Sequence, residues 1–262
     1  RYERKQKGRY RQFNQFGVEA IGAENPSIDA EVLAMVMHIY ESFGLKHLKL
    51  VINSIGDSES RKEYNEALVN HFEPVIDTFC SDCQSRLHTN PMRILDCKID
   101  RDKEAIKTAP RITDYLNDDS KAYYEQVKHH LDDLNIPYVE DPNLVRGLDY
   151  YTHTAFELMM DNPNYDGAIT TLCGGGRYNG LLQLLDGPSE TGIGFALSIE
   201  RLLLALEEEG IELDIEENFD LFIVTMGEEA DRYAVKLLND LRKNGVKADK
   251  DYLNRKIKGQ MK

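Results

Sequence analysis

Residues 144–157 read LVRGLDYYTHTAFE, and this stretch decides the fold because it joins a run of polar side chains to a strand. The alternation that begins at Thr152 is typical of a β-strand. An arginine, an aspartate and two tyrosines precede that strand, where apolar and turn residues would suffice for a structural connection. Gly147, next to Arg146, permits close approach of the backbone to a ligand. From this stretch alone, a binding site and a structural turn both remain open.

Two glycine-bearing stretches follow. Residues 173–180, CGGGRYNG, lack the G-x-G-x-x-G spacing, so a dinucleotide-binding fold is not expected. Three glycines at the end of a strand would instead let a ligand lie flat against bare backbone. In residues 192–206, GIGFALSIERLLLAL, a strand runs directly into a helix, and Arg201 in its first turns would reach a nucleotide at the sheet surface. The alternative for Arg201 is an ordinary surface arginine.

The N-terminal residues 1–11, RYERKQKGRYR, hold six basic side chains and one acidic side chain. A hairpin-like turn near residues 6–8 would set Arg1 and Arg9 opposite each other on paired strands. Guanidinium groups in that arrangement suit bidentate hydrogen bonds to phosphate oxygens. The alternative is a solvated basic hairpin without a ligand.

Hydrophobic periodicity places the remaining elements. Ser27 is the expected N-cap of a helix that ends at Gly44. The predicted strands span residues 9–21, 48–54, 152–160, 168–173, 192–197, 220–226 and 245–250. The predicted helical segments span residues 27–43, 61–72, 121–134, 178–185, 198–209 and 228–244.

This order of elements predicts an α+β protein in which a mostly helical insertion interrupts a sheet domain. Within residues 58–137, helical patterns flank a loop-rich centre. The strands of residues 1–57 and 138–211 form the two parts of one sheet domain. Acidic residues 212–217 indicate a linker. The strand–helix–strand order within residues 218–262 starts a second, α/β domain.

Composition excludes several classes of protein. Of the 262 residues, 41% are hydrophobic and 30% are charged, as in ordinary globular proteins. No run approaches the ~18 uninterrupted apolar residues of a membrane span, and we expect neither a membrane segment nor a secretory signal. Four cysteines at uneven spacing are too few for a disulfide scaffold and indicate a reducing compartment, which predicts a cytoplasmic protein.

Charge is distributed unevenly along the chain. The formal net charge is −14, which by itself argues against a nucleic-acid partner. However, residues 1–11 carry +5 and residues 242–262 carry +6, so the residues between them carry −25. Two basic ends on an acidic body leave a nucleic-acid partner open.

Three of the four cysteines fall within the predicted insertion. Cys80 and Cys83 form a C-x-x-C pair, and His88 and Cys97 follow them in the sequence. That order would allow a structural zinc, although only one half has the tight spacing. Free thiols packed in the insertion are the simpler alternative, and we therefore predict no bound metal.

Four stretches together resemble a known family. Residues 1–19, RYERKQKGRYRQFNQFGVE, resemble motif 2 of the class II aminoacyl-tRNA synthetases, and residues 192–206 resemble their motif 3. Residues 144–157 together with residues 173–181, CGGGRYNGL, are similar to the signature of the histidyl-tRNA synthetases of bacterial type. The resemblance covers the whole chain, and the Arg-Gly-Leu-Asp-Tyr-Tyr element is very specific.

The resemblance implies a fold and a reaction. The fold would be an antiparallel six-stranded catalytic sheet flanked by helices, with a helical insertion and the start of an α/β anticodon-binding domain. The reaction would activate L-histidine with ATP and Mg²⁺ to histidyl-adenylate, release pyrophosphate, and transfer histidine to tRNA(His). The family also implies a homodimer. These enzymes use positioning and fixed charge, without a nucleophilic side chain.

The resemblance also implies roles for single residues. Arg1 and Arg146 would be the catalytic arginines. The ATP site would comprise Arg1 at the α-phosphate, Glu3 at the adenine amino group, Arg9 at the γ-phosphate, Phe13 stacked on adenine, and Arg201 on its other face. The histidine site would comprise Arg1, Gln15 near the α-ammonium, Glu19 and Tyr151 as a buried acid and phenol at the imidazole, Arg146 at the carboxylate, and Tyr150. The tRNA acceptor end would contact Arg4, Gln6 and Lys7.

Two other functions compete with this one. The first is a non-catalytic paralogue, the synthetase-like regulatory subunit of ATP phosphoribosyltransferase, which would bind histidine as a sensor. The second is a nucleic-acid-binding module without chemistry. The presence of Arg1, Arg146 and Arg201 argues against the first. The stretches around Arg146 and residues 174–176 would remain unexplained by the second.

The ends of the sequence carry one further expectation. It opens at Arg1 inside a patterned segment and closes on Gln260-Met261-Lys262. We therefore expect a fragment that lacks the motif 1 region, which builds the family's dimer interface, and most of the C-terminal domain. On that basis residues 1–262 alone would be inactive, whereas the parent protein would be active.

Overall fold

Two compact units make up the chain, Arg1–Glu212 and Leu213–Lys262. The first contains a large sheet with its helices, and the second contains a short strand pair with its helices. The computed structural model describes residues 7–8, 10–147, 150–162, 171–213 and 219–261.

A mostly antiparallel sheet forms the centre of the first unit. Its strands are β1 (Gln15–Ile21), β2 (Leu48–Ser54), β3 (Tyr138–Glu140), β4 (Thr152–Met160), β5 (Thr171–Arg177) and β6 (Gly192–Ser198). Within the described residues their order is β1-β6-β5-β4-β2-β3, with β2 and β3 parallel and the other neighbours antiparallel. The predicted α+β class with an antiparallel sheet flanked by helices is confirmed, and the β2–β3 pair is the one parallel pair among the described strands of this sheet.

Helices flank this sheet. They are α1 (Pro26–Ser42), α2 (Ser58–Phe72), α3 (Ser81–Arg86), α4 (Met92–Leu95), α5 (Glu104–Lys107), α6 (Asp118–Asp133), α7 (Leu181–Leu184) and α8 (Ile199–Glu208), with 3-10 helices at Glu73–Thr78 and Ile112–Asp114. Within the ranges described for the chain, no helix has both the length and the apolar character needed to cross a membrane.

Side-chain caps set the N-termini of the longer helices α1, α2 and α6. Asn25, and not the predicted Ser27, caps α1: its Oδ1 accepts the Ser27 N–H at 2.9 Å, and Pro26 occupies the first turn. Helices α2 and α6 begin three residues earlier than predicted because Asp57 and Asn117 cap them. The Asn117 amide donates to Asp57 Oδ2 at 2.8 Å, so the two caps hold each other.

The first strand is shorter than predicted. Residues 10–14 are not part of β1, because the chain there bonds to the start of α8. The Asn14 backbone N–H donates to Glu200 Oε1 at 2.7 Å, and the Asn14 carbonyl accepts the Ile199 N–H at 3.0 Å. These bonds replace ladder bonds and place the residues before β1 beside α8.

The glycines of β5 lie within the last four residues of the strand, which continues through them to Arg177 and does not stop at Cys173 as predicted. Gly174 pairs with Glu157 of β4 and with Ala196 of β6, and Gly176 pairs with Gly194. The backbone of this run is therefore held between two neighbouring strands.

One face of the sheet carries the main core. Phe156, Leu158, Phe195 and Leu197 pack there against α1 and α8. Helix α8 begins one residue after the predicted residue 198, which caps it. The pattern also predicts Leu203 on the apolar face, and this was wrong, because Leu203 is 47% exposed. Helix α6 also packs into this core, through Tyr124, Val127 and Leu131.

A second core holds the short helices α3 to α5. It is built around buried residues such as Phe72, Cys83, Ile94 and Ile106. Tyr151 and Tyr178 also belong to it, so this cluster reaches the other face of the sheet. The division into residues 1–57, 58–137 and 138–211 stays a prediction.

The second unit shows the predicted strand–helix–strand order. Its elements are β7 (Leu221–Ile223), α9 (Glu228–Lys243), β8 (Ala248–Lys250) and α10 (Ile257–Gln260), and β7 is parallel to β8. The apolar run in residues 220–226 predicts a buried strand, and this was wrong for β7, because Leu221 and Phe222 are 43% and 38% exposed. Helix α9 buries only Ala234 and Leu238, which leaves the larger side chains of β7 uncovered.

Candidate active site

The face of the sheet opposite the main core is nearly free of large side chains on β1, β5 and β6. Register partners in a sheet share a face, and glycine or alanine recurs in two rows that cross these strands. The rows are Glu19, Gly194 and Gly176, and Gly17, Ala196 and Gly174. A shallow floor of backbone therefore lies in the middle of the sheet.

Side chains of the protein itself lie directly on this floor. A Cβ at Gly174 would lie 2.6 Å from Arg146 Nη1, and a Cβ at Gly176 would lie 2.9 Å from Tyr151 Cδ1. We expected the glycines to receive a ligand against bare backbone. In the structure Arg146 and Tyr151 lie directly over Gly174 and Gly176, and a side chain at either glycine would collide with them.

Three tyrosines form a wall beside the floor. The Tyr150 ring centroid lies 4.5 Å from that of Tyr151 and 5.9 Å from that of Tyr178. The Tyr178 hydroxyl donates to Glu19 Oε2. Burial and the hydrogen bond to Glu19 raise the pKa of Tyr178 above its usual range, and burial also raises the pKa of Tyr150. Both phenols are therefore neutral donors at physiological pH.

Glu19 is exposed, although we expected a buried acid. The reason lies in its strand: β1 ends the sheet order within the described residues, so one flank of Glu19 faces no further strand. Gln15 lies on the same face of β1 and is also exposed. Tyr178 directly follows β5, and the sequence did not assign it to the site. Its position next to the glycine run was the feature that could have indicated it.

Arg146 is held at the edge of the floor. Its Nη1 donates to Glu157 Oε1 at 2.7 Å, and its guanidinium carbon lies 5.4 Å from the centroid of the Tyr151 ring. Within the described part of the chain, its buried Nε has no hydrogen-bond partner. Arg146 is thus oriented by a carboxylate and an aromatic face while one polar atom stays unsatisfied.

Arg201 lies beside a second cleft of about 350 Å³, which also contacts Phe13 and Gln15. The Ser198 hydroxyl caps α8 by accepting the Arg201 backbone N–H at 3.4 Å. The Arg201 Nε donates to the Gly8 carbonyl at 3.1 Å, and its Nη1 donates to the Thr171 carbonyl. Phe13 is 50% exposed, so one of its sides is open to solvent.

A chain of hydrogen bonds connects the two arginines. Glu157 accepts from Arg146 through Oε1 and from the Thr171 hydroxyl through Oε2, the latter at 2.9 Å. The Thr171 carbonyl in turn accepts from Arg201. Glu157 and Thr171 therefore link the glycine floor to the Phe13 cleft. Sequence reasoning missed both, because their partners are set by strand register.

The cavity next to Arg146 is rich in basic side chains. It has a volume of about 520 Å³ and is lined by Arg61, Lys62 and Arg93 together with Arg146 and Tyr151. Arg61 donates to the Tyr151 carbonyl at 2.8 Å. Arg93 donates to the Gly147 carbonyl, directly after Arg146, at 3.2 Å. These contacts tie α2 and α4 to the segment that carries the site.

Most of the N-terminal candidates lie outside the described residues. Lys7 forms an ion pair with Glu208 at 2.6 Å on the surface of α8. The candidates that lie outside the described residues are Arg1, Glu3, Arg4, Gln6 and Arg9.

The metal candidates form a separate group. Cys80, Cys83 and Cys97 lie together, but His88 is exposed after the end of α3 and is not with them. Asp100 takes its place, because the turn after Cys97 brings its carboxylate to the thiols. The alternative zinc set that the sequence left open therefore differs at one position, since the structure brings Asp100 and not His88 to the three thiols.

Comparison with known proteins bears on this arrangement. A family profile described as histidyl-tRNA synthetase matches residues 1–202. The histidine–tRNA ligases of Staphylococcus aureus strains JH9 and Newman are each 91% identical to this chain over all of its 262 residues. The chain spans 62% of the length of these curated relatives.

Solved structures show the same fold. The crystal structure of apo S. aureus histidyl-tRNA synthetase matches with a TM-score of 0.75 and 86% identity, covering 96% of this chain and 62% of that one. A Bacillus halodurans protein titled ATP phosphoribosyltransferase regulatory subunit/histidyl-tRNA synthetase matches with a TM-score of 0.55 and 22% identity, covering 93% of this chain and 64% of that one. The second likeness concerns the fold alone. By the profile match and the high identity to these relatives, the chain belongs to the histidyl-tRNA synthetase family.

Proposed function

We propose that this chain provides the amino-acid and ATP sites of a histidine–tRNA ligase. The protein would convert L-histidine and ATP to histidyl-adenylate and pyrophosphate, and then transfer histidine to tRNA(His). The observation that carries the proposal is the hydrogen-bonded chain from Arg146 through Glu157 and Thr171 to Arg201. It supports a continuous surface with a polar pocket at one end and an aromatic cleft at the other.

The polar pocket suits histidine. Its imidazole carries a ring N–H donor and a ring nitrogen acceptor. Glu19 would accept from the ring, and Tyr151 would complete its recognition, while Tyr178 holds the Glu19 carboxylate in place. An amino acid of similar size without ring nitrogens would leave these groups unpaired, which costs affinity. Gln15 would contact the α-ammonium group, and Tyr150 would line the pocket.

The aromatic cleft suits adenine. Phe13 would stack on one face of the base and Arg201 would cover the other, as arginine does on planar rings. ATP would bring Mg²⁺ at its phosphates. Arg1 and Arg9 at the phosphates and Glu3 at the adenine amino group complete the proposed ATP site, on the family resemblance alone.

Arg146 would act between the two ends. In adenylation an oxygen of the histidine carboxylate attacks the α-phosphorus, and the bond from that phosphorus to the bridging oxygen of pyrophosphate breaks. Negative charge grows on the α-phosphate oxygens in the transition state. A guanidinium held by Glu157 and Tyr151 stabilises that charge without reorganising. Arg1 would stabilise the same charge from the opposite side of the α-phosphate.

The remaining assignments are also proposals. Arg4, Gln6 and Lys7 would contact the tRNA acceptor end, and residues 218–262 would belong to the anticodon-binding domain. The active protein would be a cytoplasmic homodimer. Residues 58–137 would form the insertion domain between residues 1–57 and 138–211 of the catalytic domain.

Histidine-dependent exchange of pyrophosphate into ATP tests the proposal. In the full-length protein we expect Arg146→Ala to lower the exchange rate at least about 100-fold, as for loss of one preorganised transition-state donor. Arg101→Ala is the matched control, because Arg101 is 73% exposed and pairs only with its neighbour Asp102 among the described ion pairs. Undiminished exchange in Arg146→Ala would contradict the catalytic assignment.

The same measurements distinguish the non-catalytic alternative. A histidine sensor would be stabilised thermally by histidine but would show no exchange in the wild-type protein. A ligase would show both. We also predict that residues 1–262 alone show no aminoacylation, and measurable aminoacylation by that chain would contradict this prediction.

A further inference from the structure

Four side chains with metal-ligating atoms converge between the 3-10 helix Glu73–Thr78 and α5. Cys80 and Cys83 lie at the start of α3, and Cys97 and Asp100 lie beyond α4. One ligand atom from each lies within 4.8 Å of the other three. The site is remote in sequence from Glu19, Arg146 and the other residues of the proposed ligase site.

The spacing fits one tetrahedral ion. A zinc ion with Zn–S bonds of about 2.3 Å sets its sulfur ligands ~3.8 Å apart at the tetrahedral angle. The Cys80 and Cys97 Sγ atoms are 3.7 Å apart, and Cys97 Sγ lies 3.6 Å from Asp100 Oδ2. A disulfide would need a separation of about 2.05 Å, and all three thiols are free.

The surroundings are those of a closed site. Cys83, Cys97 and Asp100 are 0%, 5% and 4% exposed. A carboxylate buried against three sulfur atoms is costly unless a cation or several hydrogen bonds compensate it. The backbone N–H of Cys80 donates to Asp100 Oδ2 at 2.9 Å, and Lys103 Nζ lies 3.2 Å from Asp100 Oδ1.

We propose that Cys80, Cys83, Cys97 and Asp100 bind one structural Zn²⁺ ion. Three thiolates select a thiophilic ion over Mg²⁺ or Ca²⁺, and four protein ligands leave no open position for catalysis. Lys103 is the outer-shell partner of Asp100: it offsets part of the negative charge of the ligand set and fixes the carboxylate. Its ammonium also lies 4.4 Å from the centroid of the Phe79 ring.

The ion would stabilise a segment with little local support. Helices α3 and α4 have six and four residues and no side-chain N-cap bond. Helices this short are marginal without tertiary contacts. A metal that joins residue 80 to residue 100 would close this segment and fix α4, whose Arg93 donates to the Gly147 carbonyl. The zinc site would thereby help to position Arg93, which lines the basic cavity next to Arg146.

Metal content of the purified protein tests the proposal directly. We expect about one equivalent of zinc per chain by inductively coupled plasma mass spectrometry after desalting, and loss of the metal with a lower melting temperature after chelation. Cys83→Ser, Cys97→Ser and Asp100→Asn should each retain less than about half an equivalent. His88→Ala and Cys173→Ser are matched controls and should retain the full amount.

Cobalt keeps the proposal testable if the variants do not fold. Wild-type protein, stripped of metal and reconstituted with Co²⁺, should show the intense visible bands of a tetrahedral thiolate site and thiolate-to-cobalt charge transfer. Zinc below about half an equivalent, together with free reaction of all three thiols with a thiol reagent, would overturn the proposal. A disulfide between Cys80 and Cys97 in freshly purified protein, stoichiometric iron, or zinc loss in His88→Ala would also overturn it.

Discussion

Two arginines, Arg177 at the end of β5 and Arg146 in the segment before β4, pair with carboxylates in very different ways. Arg177 and Asp29 are both fully buried, and all three guanidinium nitrogens of Arg177 have acceptors, including the Ala23 carbonyl. Arg146 and Glu157 are 18% and 21% exposed, and Arg146 Nε has no partner within the described residues. The first pair is complete, whereas the second has capacity left for a ligand.

The difference teaches how to separate structural from functional charge. Asp29 also accepts from the Tyr123 hydroxyl at 3.0 Å and from the Thr154 hydroxyl, so it joins α1, α6 and the sheet in one closed network. A network whose donors and acceptors are all paired specifies packing but has no hydrogen-bonding group left for a substrate. Arg146 lines a cavity and keeps one buried donor unsatisfied, so its network is not closed, which is the pattern expected of a binding site.

Removing Arg177 should produce the largest effect on stability. Arg177→Ala leaves Asp29 as a buried, uncompensated charge, so we expect the free energy of unfolding to fall by about 3–5 kcal/mol. Denaturant unfolding of the full-length protein measures it.

Two further variants keep this prediction testable. The double variant Asp29→Leu with Arg177→Met removes both charges and should lose less than Arg177→Ala alone. The exposed control Arg101→Ala should stay within about 0.5 kcal/mol of wild type. If Arg177→Ala behaved like Arg101→Ala, the Arg177 pair would not be a stabilising network.

Local sequence signals predicted part of the fold. The bounds of β2 and β4 follow from alternation, and the β6–α8 junction follows from a strand pattern that changes directly to a helical one. Short helices such as α3 and α4 have no such period, and their positions depend on tertiary packing. The Asn25 cap was missed because Ser27 two residues later offers the same chemistry on paper.

Local sequence patterns could not predict which residues the site residues contact. Arg177 and Asp29 are 148 positions apart, and both Arg146 and Arg177 stand next to a glycine in the sequence. Nothing local distinguishes the buried arginine from the site arginine. Glu157, Thr171 and Asp100 were missed for the same reason: strand register or a turn brings them to residues that the sequence alone cannot show as neighbours.

Weakening the support of Arg146 should have an intermediate effect. Glu157→Gln keeps the shape of the side chain but removes the charge that orients Arg146, so we expect the pyrophosphate exchange rate to fall about 10-fold. A positioning role should lower kcat at saturating histidine and ATP and leave the unfolding midpoint unchanged.

The control for Glu157 is another acid of the same sheet. Glu140 of β3 is 45% exposed and pairs with Lys128 of α6. Glu140→Gln should leave exchange unchanged. Equal rates in Glu157→Gln and Glu140→Gln would remove Glu157 from the proposed mechanism and weaken the contrast between the two arginines.

The smallest effect concerns His153, next to the Arg177 network. Burial lowers the pKa of His153, Asp57 opposes the shift, and Arg177 lowers the pKa further. The unfolded chain therefore binds a proton on this residue at a higher pH than the folded protein does. The charged or titratable groups around it are Asp29, Asp57, Arg61, Tyr123 and Arg177.

The sign of the pH dependence follows from that difference in proton binding. As the pH falls below about 6.5, the unfolded chain gains a proton first, so the free energy of unfolding decreases. His153→Gln should make the melting temperature less dependent on pH in this range. Removing Arg177 should raise the pKa of His153, because a repelling cation is lost, and an NMR titration of the His153 ring would detect it. A His153 pKa unmoved by Arg177→Met in the Asp29→Leu background, where both buried charges are absent, would show that Arg177 does not act on the protonation of this histidine and that the network acts only on packing.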